Sequence, residues 1–368
     1  MKNIVLAVGG TGGHLYPAIA LGQRLQEDKS GVQVWIAGKR GGQEERIALD
    51  YGLKFRAVRT AKMPEKKMSP ATIAFAARLA VAVLSGLAAL AEIKPVAVVG
   101  FGGFASFPTV FAGWLRRTPV YLHEQNTIMG LVNRVMTRFA DKIFVSFEKT
   151  AGVPEGKAVF AGNPSRYEKL EKIDKKEARS RLGLDPERWT LFVFGGSQGA
   201  ASINRSLYEF ASANRDKADL QILHLTGRAK FDEAKKYYSE ALAGSALRID
   251  ARDYLKEMEL AYMAADLAFC RSGATTLTEL ASLGVPAILS PYPFATENHQ
   301  EKNAKSFVDA GAAVMILDKE LNGERIAAAI EELRGDPEKL RIMAERARNI
   351  YREGAAVRMA ETLSAHLR

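Results

Sequence analysis

The clearest chemical signal in the chain is Gly9-Gly10-Thr11-Gly12-Gly13-His14, which follows an apolar run from Ile4 to Val8 and leads into a helical pattern from about Pro17. Glycines at such a junction let the backbone turn sharply and approach a ligand closely. The helix behind them presents N–H groups and the positive end of its dipole to an anion. Phosphate or diphosphate is the expected guest. A histidine directly after the glycines has a ring that titrates near neutrality, so His14 is a candidate general base for a hydroxyl brought to that phosphate. Ordering of the loop is its plainer alternative.

The theme recurs at Gly195-Gly196-Ser197-Gln198-Gly199, where the Ser197 hydroxyl adds to the backbone donors. It recurs again at Cys270-Arg271-Ser272-Gly273-Ala274-Thr275-Thr276, which opens a helix carrying Glu279. A carboxylate one turn into that helix suits a pair of ribose hydroxyls, or simply the dipole of its own helix. Glu297-Asn298-His299-Gln300 with Asn303 gathers hydrogen-bonding partners for a sugar, with helix capping as the alternative. His123-Glu124-Gln125-Asn126 stands just past an expected strand, where open α/β sheets bind ligands; a polar capping loop is the alternative there.

Several chemistries are disfavoured by what is missing. The glycines do not fit G-x-G-x-x-G, and the second strand ends Ile36-Ala37-Gly38-Lys39 with no acid for a dinucleotide ribose, which argues against NAD. No G-x-x-x-x-G-K-[ST] occurs, so a P-loop nucleotidase is disfavoured too. There is no D-x-D and no cluster at metal-ligand spacing, so no metal and no cofactor are required by the sequence.

The elements that must hold these turns are apolar, β-branched runs alternating with helical stretches, the pattern of βαβ units around parallel sheets. Strands are expected near 3–8, 32–37, 96–99, 119–122 and 142–145, with helices near 17–28, 71–92, 106–115 and 128–138. A second set has strands near 190–194, 220–225, 266–270, 286–289 and 313–316, and helices near 199–212, 229–241, 274–283, 298–310 and 322–333. The fold class is therefore α/β, two Rossmann-like doubly wound parallel sheets. A chain of 368 residues exceeds what one core supports, and Gly162-Asn163-Pro164 followed by lysines marks a boundary near 163. The domains expected are 1–163 and 164–349. A last helical stretch, about 337–366, could pack on either.

Lysine and arginine exceed acids 52 to 42, a net charge of +10 that points to an anionic partner: nucleic acid, acidic lipid or a phosphorylated small molecule. Cys270, the single cysteine, excludes an internal disulfide and suits the cytoplasm. Ile73 to Ala91 is apolar apart from Arg78, near the length of a bilayer span, yet eight of its residues are alanine. A buried crossover helix is the expectation. Upstream, Lys54, Arg56, Arg59, Lys62, Lys66 and Lys67 against a single acid, Glu65, suit an anionic lipid surface.

Taken in order, GGTGGH at 9–14, GGFAS at 102–106, HEQN at 123–126, GNPSR at 162–166, GGSQGA at 195–200, CRSGATTLTE at 270–279 and ENHQEKNA at 297–304 resemble the MurG family of glycosyltransferases across nearly the whole chain. The resemblance implies the GT-B fold, two domains facing across a cleft, with the C-terminal helix from about 350 to 368 packing back on the first domain. It implies inverting transfer of N-acetylglucosamine from UDP-N-acetylglucosamine to the 4-hydroxyl of undecaprenyl-diphospho-N-acetylmuramoyl-pentapeptide, with no cofactor and no nucleic-acid partner. His14 is then the base and Glu124 its reserve. The donor is held by Thr11, Gly12, Gly13, Asn126, Arg166, Ser197, Leu255 at the uracil edge, Ala274, Thr275, Thr276, Leu277, Thr278, Glu279 and Gln300. The acceptor diphosphate falls near Gly102 and Gly103. Peripheral attachment to the cytoplasmic face of the cell membrane is also implied, with Trp114, Arg116 and Arg117 extending the surface. A diacylglycerol glycosyltransferase, a UDP-N-acetylglucosamine 2-epimerase and a non-catalytic nucleotide-sugar-binding membrane partner stay open at this point.

Overall fold

The computed structural model describes residues 2–10, 12–27, 31–61, 70–168, 170–171, 173–196 and 198–365, so Thr11, Lys62, Glu65, Lys66, Lys67 and Ser197 lie outside the described residues. The chain divides into two units, one of Met1–Glu168 with Arg352–Arg368 and one of Lys169–Tyr351. The first unit runs β1 (Lys2–Ala7), α1 (Gly12–Glu27), β2 (Val32–Gly38), α2 (Gln43–Asp50), β3 (Lys54–Ala57), α3 (Pro70–Ile93), β4 (Pro95–Gly100), α4 (Phe107–Leu115), β5 (Val120–Glu124), α5 (Leu131–Met136), β6 (Lys142–Val145) and β7 (Ala158–Phe160). The second runs α6 (Lys175–Arg181), β8 (Trp189–Phe194), α7 (Ala201–Ala213), β9 (Leu220–Leu225), α8 (Phe231–Ala241), β10 (Arg248–Arg252), α9 (Met258–Ala264), β11 (Leu267–Cys270), α10 (Ala274–Leu283), β12 (Ala287–Leu289), α11 (His299–Asp309), β13 (Ala313–Met315), α12 (Gly323–Arg334) and α13 (Pro337–Ile350). A final helix, α14 (Ala355–Ser364), returns to the first unit.

In the first sheet the strand order is β3-β2-β1-β4-β5-β6-β7, and in the second β10-β9-β8-β11-β12-β13, with every pairing parallel. Each order reverses at one place, between β1 and β4 in the first sheet and between β8 and β11 in the second. Crossovers leave in opposite directions there, opening a crevice at the carboxyl ends of the strands. Register brings the two sides of each crevice level: Ala7 pairs with Gly100, and Phe194 with Cys270.

Period-2 alternation explains why the strands read as continuous apolar runs. Ile4 and Leu6 of β1 enter one core with Leu15 and Ile19 of α1, while Val5 and Ala7 enter another with Leu90 of α3 and Val110 of α4. Both faces of Ile4–Ala7 are covered, so no polar position is left there, and the polar Lys2 and Asn3 fall at the half-buried start of the strand. The last helical stretch is two helices, broken after α13, with Gly354 in the left-handed region at φ 78°. Met343 of α13 joins the core of the second unit, whereas Met359 and Leu363, one turn apart on α14, join that of the first. Burying each such side chain is worth about 1.5–3 kcal/mol, which fixes α14 to the first unit.

Helix α3 differs in part from the buried crossover expected. It does cross from β3 to β4, and Gly86 lies so close to α4 that a Cβ there would stand 2.9 Å from the Pro108 carbonyl oxygen. Ala82, Gly86, Ala89, Leu90 and Ile93 are buried, but Ala77, Val81, Leu84 and Ala88 face outward. From Ala74 to Ile93 it is long and apolar enough to cross a membrane, with 22% of that window buried.

Candidate functional site

In the first unit the crevice is built on backbone approach. The turn after β1 meets the turn after β4 so tightly that a Cβ on either Gly9 or Gly103 would stand 2.8 Å from the other's Cα. Gly102 and Gly103 both adopt positive φ, 85° and 73°, which only glycine takes without strain. The His14 imidazole lies against this junction: Nδ1 would be 3.2 Å from a Cβ on Gly9 or on Gly103, and Nε2 3.4 Å from one on Gly102. Helix α1 begins at Gly12, earlier than the expected Pro17, so Gly12, Gly13 and His14 form its first turn. Two residues that the sequence did not single out cover the glycines from α2. Gln43 donates to the Gly10 carbonyl at 2.6 Å, and buried Glu44 brings Oε1 within 3.3 Å of where a Gly10 Cβ would stand.

The HEQN segment forms the floor. His123 is fully buried against Phe101, and burial pushes its pKa down to about 4, against the pull of the Gly162 carbonyl and with a smaller push from His14. It stays neutral near pH 7. Gln125 ties the end of β5 to that of β4 by donating to the Phe101 carbonyl at 2.8 Å. Glu124, 1% exposed, accepts four hydrogen bonds: Asn126 N–H and Nδ2 on Oε1, at 3.0 and 2.9 Å, and Gly130 N–H and Asn133 Nδ2 on Oε2, both at 2.9 Å. A carboxylate with both oxygens doubly engaged holds a loop; it has little left for a substrate proton. Asn133 also donates to the His123 carbonyl at 3.0 Å. Sequence reasoning missed it, although an asparagine between the valines of the short helix Leu131–Met136 was a signal. Arg166 stacks over Tyr16 of α1 at 4.0 Å and over Tyr167 at 4.7 Å, with Nη1 3.5 Å from the Tyr51 hydroxyl.

In the second unit Gly195, Gly196 and Gly199 turn the chain from β8 towards α7, and a Cβ on Gly199 would collide with the Thr226 carbonyl. Across the crevice Gly273 caps α10 without a side-chain bond, so the first turn, Ala274, Thr275 and Thr276, presents main-chain N–H groups at a dipole's positive end. Thr278 bonds back to the Ala274 carbonyl at 2.9 Å, and Leu277 is buried, so what these two offer a ligand is position and backbone. Glu279, 6% exposed, accepts the Tyr262 hydroxyl at 2.8 Å on Oε2. Leu255 is buried just past β10, while its neighbour Tyr254 is exposed under the Arg228 guanidinium at 5.2 Å. Gln300 is fixed at both ends, since its Oε1 accepts from Tyr292 N–H at 3.0 Å and its carbonyl from the Ser272 hydroxyl at 2.8 Å. Among the described residues no group of three or more His, Cys, Asp or Glu side chains could hold a metal ion.

Two family models match this chain: the glycosyltransferase family 28 N-terminal domain over residues 4–145 and the glycosyltransferase family 28 C-terminal domain over residues 190–359. A UDP-N-acetylglucosamine--N-acetylmuramyl-(pentapeptide) pyrophosphoryl-undecaprenol N-acetylglucosamine transferase of Desulforudis audaxviator is 37% identical, covering 93% of this chain and 92% of its own. The enzyme of that name from Geobacter sulfurreducens is 36% identical over 100% of this chain and 99% of its own. Among solved structures, MurG of Acinetobacter baumannii aligns over 99% of this chain and 100% of its own at 27% identity, TM-score 0.75. A UDP-GlcNAc 2-epimerase of Neisseria meningitidis shares the fold at 15% identity, TM-score 0.70. With both halves matched and near full-length relatives above a third identical, the chain belongs to the MurG family of GT-B glycosyltransferases, in glycosyltransferase family 28.

Proposed function

We propose that the chain moves N-acetylglucosamine from UDP-N-acetylglucosamine to the 4-hydroxyl of N-acetylmuramoyl-pentapeptide on undecaprenyl diphosphate. What carries this reading is the near full-length match to relatives named for that transfer. The His14 imidazole takes the proton of the acceptor hydroxyl as that oxygen bonds to the anomeric carbon. The bond from that carbon to the diphosphate oxygen breaks, and its electron pair leaves with UDP. One in-line displacement inverts the anomeric centre. The charge arriving on UDP meets the first turn of α10 and the Gly195–Gly199 turn, fixed dipoles that need no reorganisation when the bond breaks.

The second unit is the donor side: Leu255 offers main chain to the uracil, Ala274 to Thr278 serve the phosphates, Glu279 the ribose and Gln300 the sugar. Ser197 belongs with the diphosphate, and Thr11, Gly12, Gly13 and Asn126 are the first unit's donor-binding residues, with Arg166 adding a positive charge. Gly102 and Gly103, bare backbone against the His14 ring, suit the acceptor diphosphate. Glu124 acts as the anchor of its loop, and His14 alone as the base.

The first unit also carries the membrane contact, at the cytoplasmic face. Val81 and Leu84 of α3, Trp114 and Leu115 of α4, and Leu131 and Val135 of α5 are exposed apolar side chains on three helices packed in sequence. Exposed Arg78, Arg116, Arg117, Arg134 and Arg138 accompany them and suit anionic headgroups. Because α3 keeps a buried stripe on α4, it lies on the bilayer and does not span it. Arg56 contributes less, being paired with Glu92 at 2.6 Å.

The test is incubation with UDP-N-acetylglucosamine and a lipid-linked N-acetylmuramoyl-pentapeptide analogue, separating products by mass. A disaccharide-linked lipid is expected, and free epimer or a diacylglycerol glycoside overturns the reading. His14→Ala is expected to abolish transfer while donor affinity persists; wild-type activity in that variant removes His14 as the base.

A further inference from the structure

Arg271 follows β11 and stands two residues before the N-cap of α10, where a guanidinium invites assignment as a phosphate ligand. Its contacts point elsewhere. Nη1 pairs with Asp318 Oδ1 at 2.6 Å and also lies 3.0 Å from the Ser290 and Pro291 carbonyls. Nη2 donates to the Ser202 hydroxyl at 2.8 Å, and that hydroxyl donates to the same Asp318 oxygen at 2.6 Å. The carbon of the guanidinium lies 5.7 Å from the Tyr292 ring centroid. One planar fork thus joins four segments of the second unit: the start of α7, the turn after β11, the turn after β12 and the short helix Asp318–Glu320.

The turn after β12 is the one that needs holding. It runs from Pro291 through exposed Tyr292 and Phe294 to Glu297 and Asn298, consecutive non-glycine residues at φ 53° and 56°, and then delivers Gln300. Two such residues are costly and persist only where surroundings fix them. Arg271 holds the entry of this turn through the Ser290 and Pro291 carbonyls, and Ser272 holds its exit through the Gln300 carbonyl.

We infer that Arg271, with Asp318 and Ser202, is a positioning residue that sets the Pro291–Gln300 turn against the first turn of α10 and so aims Gln300 at the donor sugar, without touching the diphosphate. This rests on the donor assignment made above. Lysine cannot replace it, because a point charge reaches Asp318 but cannot serve two carbonyls and a hydroxyl at once.

The test measures dissociation constants of UDP and UDP-N-acetylglucosamine by calorimetry for the wild type, Arg271→Met, Arg271→Lys and Asp318→Asn, with melting temperatures alongside. UDP lacks the sugar that Gln300 serves. Loss of charge-assisted hydrogen bonds is expected to raise the ratio of the sugar nucleotide's dissociation constant to that of UDP by about tenfold in Arg271→Met and Asp318→Asn, with UDP itself little changed. Arg271→Lys should recover melting temperature but not the ratio. Should Arg271→Met not fold, Asp318→Asn reads the same ratio. Equal losses for both ligands would make Arg271 a phosphate ligand, and a lowered melting temperature with an unchanged ratio would leave it purely structural; either overturns the inference. A wild type that binds neither ligand sinks the donor assignment and takes this role with it.

Discussion

Replacing Glu124 by glutamine separates the two residues that compete for the role of base. The substitution keeps size and shape but turns one carboxylate oxygen into an amide NH2. Whichever oxygen is converted, it faced two donors: Asn126 N–H and Nδ2 on one side, or Gly130 N–H and Asn133 Nδ2 on the other. Two hydrogen bonds to a charged group are lost, and at about 1.5 kcal/mol each the loop gives up about 3 kcal/mol. If the ordered loop is required in the transition state, kcat/KM falls by about two orders of magnitude. The discriminating assay is the pH dependence of kcat/KM with a soluble acceptor analogue. An anchor that is not the base leaves the acidic limb of the profile where it was, because the protonation of His14 sets it. A base would take the limb with it, leaving a slow rate that does not decline on the acid side. Disappearance of the limb in Glu124→Gln, together with its persistence in His14→Ala, would refute the assignment of both residues.

Acid should loosen both units. His123 and His224 are buried neutral, with burial pulling their pKa values to about 4 and about 3, so below pH 6.5 the unfolded chain takes up protons that the folded one refuses. Stability is therefore greatest above pH 6.5 and lost towards pH 4 and pH 3, by about 2 kcal/mol per histidine between pH 7 and pH 5; urea melts at the two pH values check this, and equal midpoints would contradict it. Gly103→Ala sets a Cβ 2.8 Å from the Gly9 Cα at a φ of 73°, so transfer should collapse with UDP affinity intact, and an active variant would show that the two turns need not touch. Leu84→Glu with Trp114→Glu should lower co-sedimentation with vesicles containing phosphatidylglycerol at least tenfold, and wild-type binding should weaken with salt. Undiminished binding by the double variant would place the membrane contact on another surface.

The parts of this fold that were legible in the sequence are those whose physics is local. A stretch of strand covered on both faces is apolar, so Ile4–Ala7 of β1, Val96–Val99 of β4 and Leu191–Phe194 of β8 stand out, and a turn that lets two backbones meet has to be glycine, so Gly9 and Gly195 stand out with them. Edge and near-edge pieces carry no such mark. β3 reads Lys-Phe-Arg-Ala and β10 Arg-Ile-Asp-Ala-Arg because one side of each strand has no neighbour to exclude water, and the short helices α2, α6 and α9 offer too few turns for a period to show. Pro17 misplaces the start of α1 for a related reason: proline is expected in a first turn, but Gly12, Gly13 and His14 already form one, and proline sits in the second. The harder loss is at the site, where a residue's type does not reveal what it faces. Glu124 and Arg271 have the right chemistry for a base and a phosphate ligand, yet each spends its hydrogen-bonding capacity on the protein. His14 differs in its place: its ring packs against Gly9, Gly102 and Gly103, in the room their missing side chains leave, where the turns after β1 and β4 meet. Residue type therefore nominates candidates on these crevices, and their contacts show which of them hold the fold: Glu124 fixes the loop after β5 and Arg271 the turn after β12, whatever chemistry the same side chains could do elsewhere.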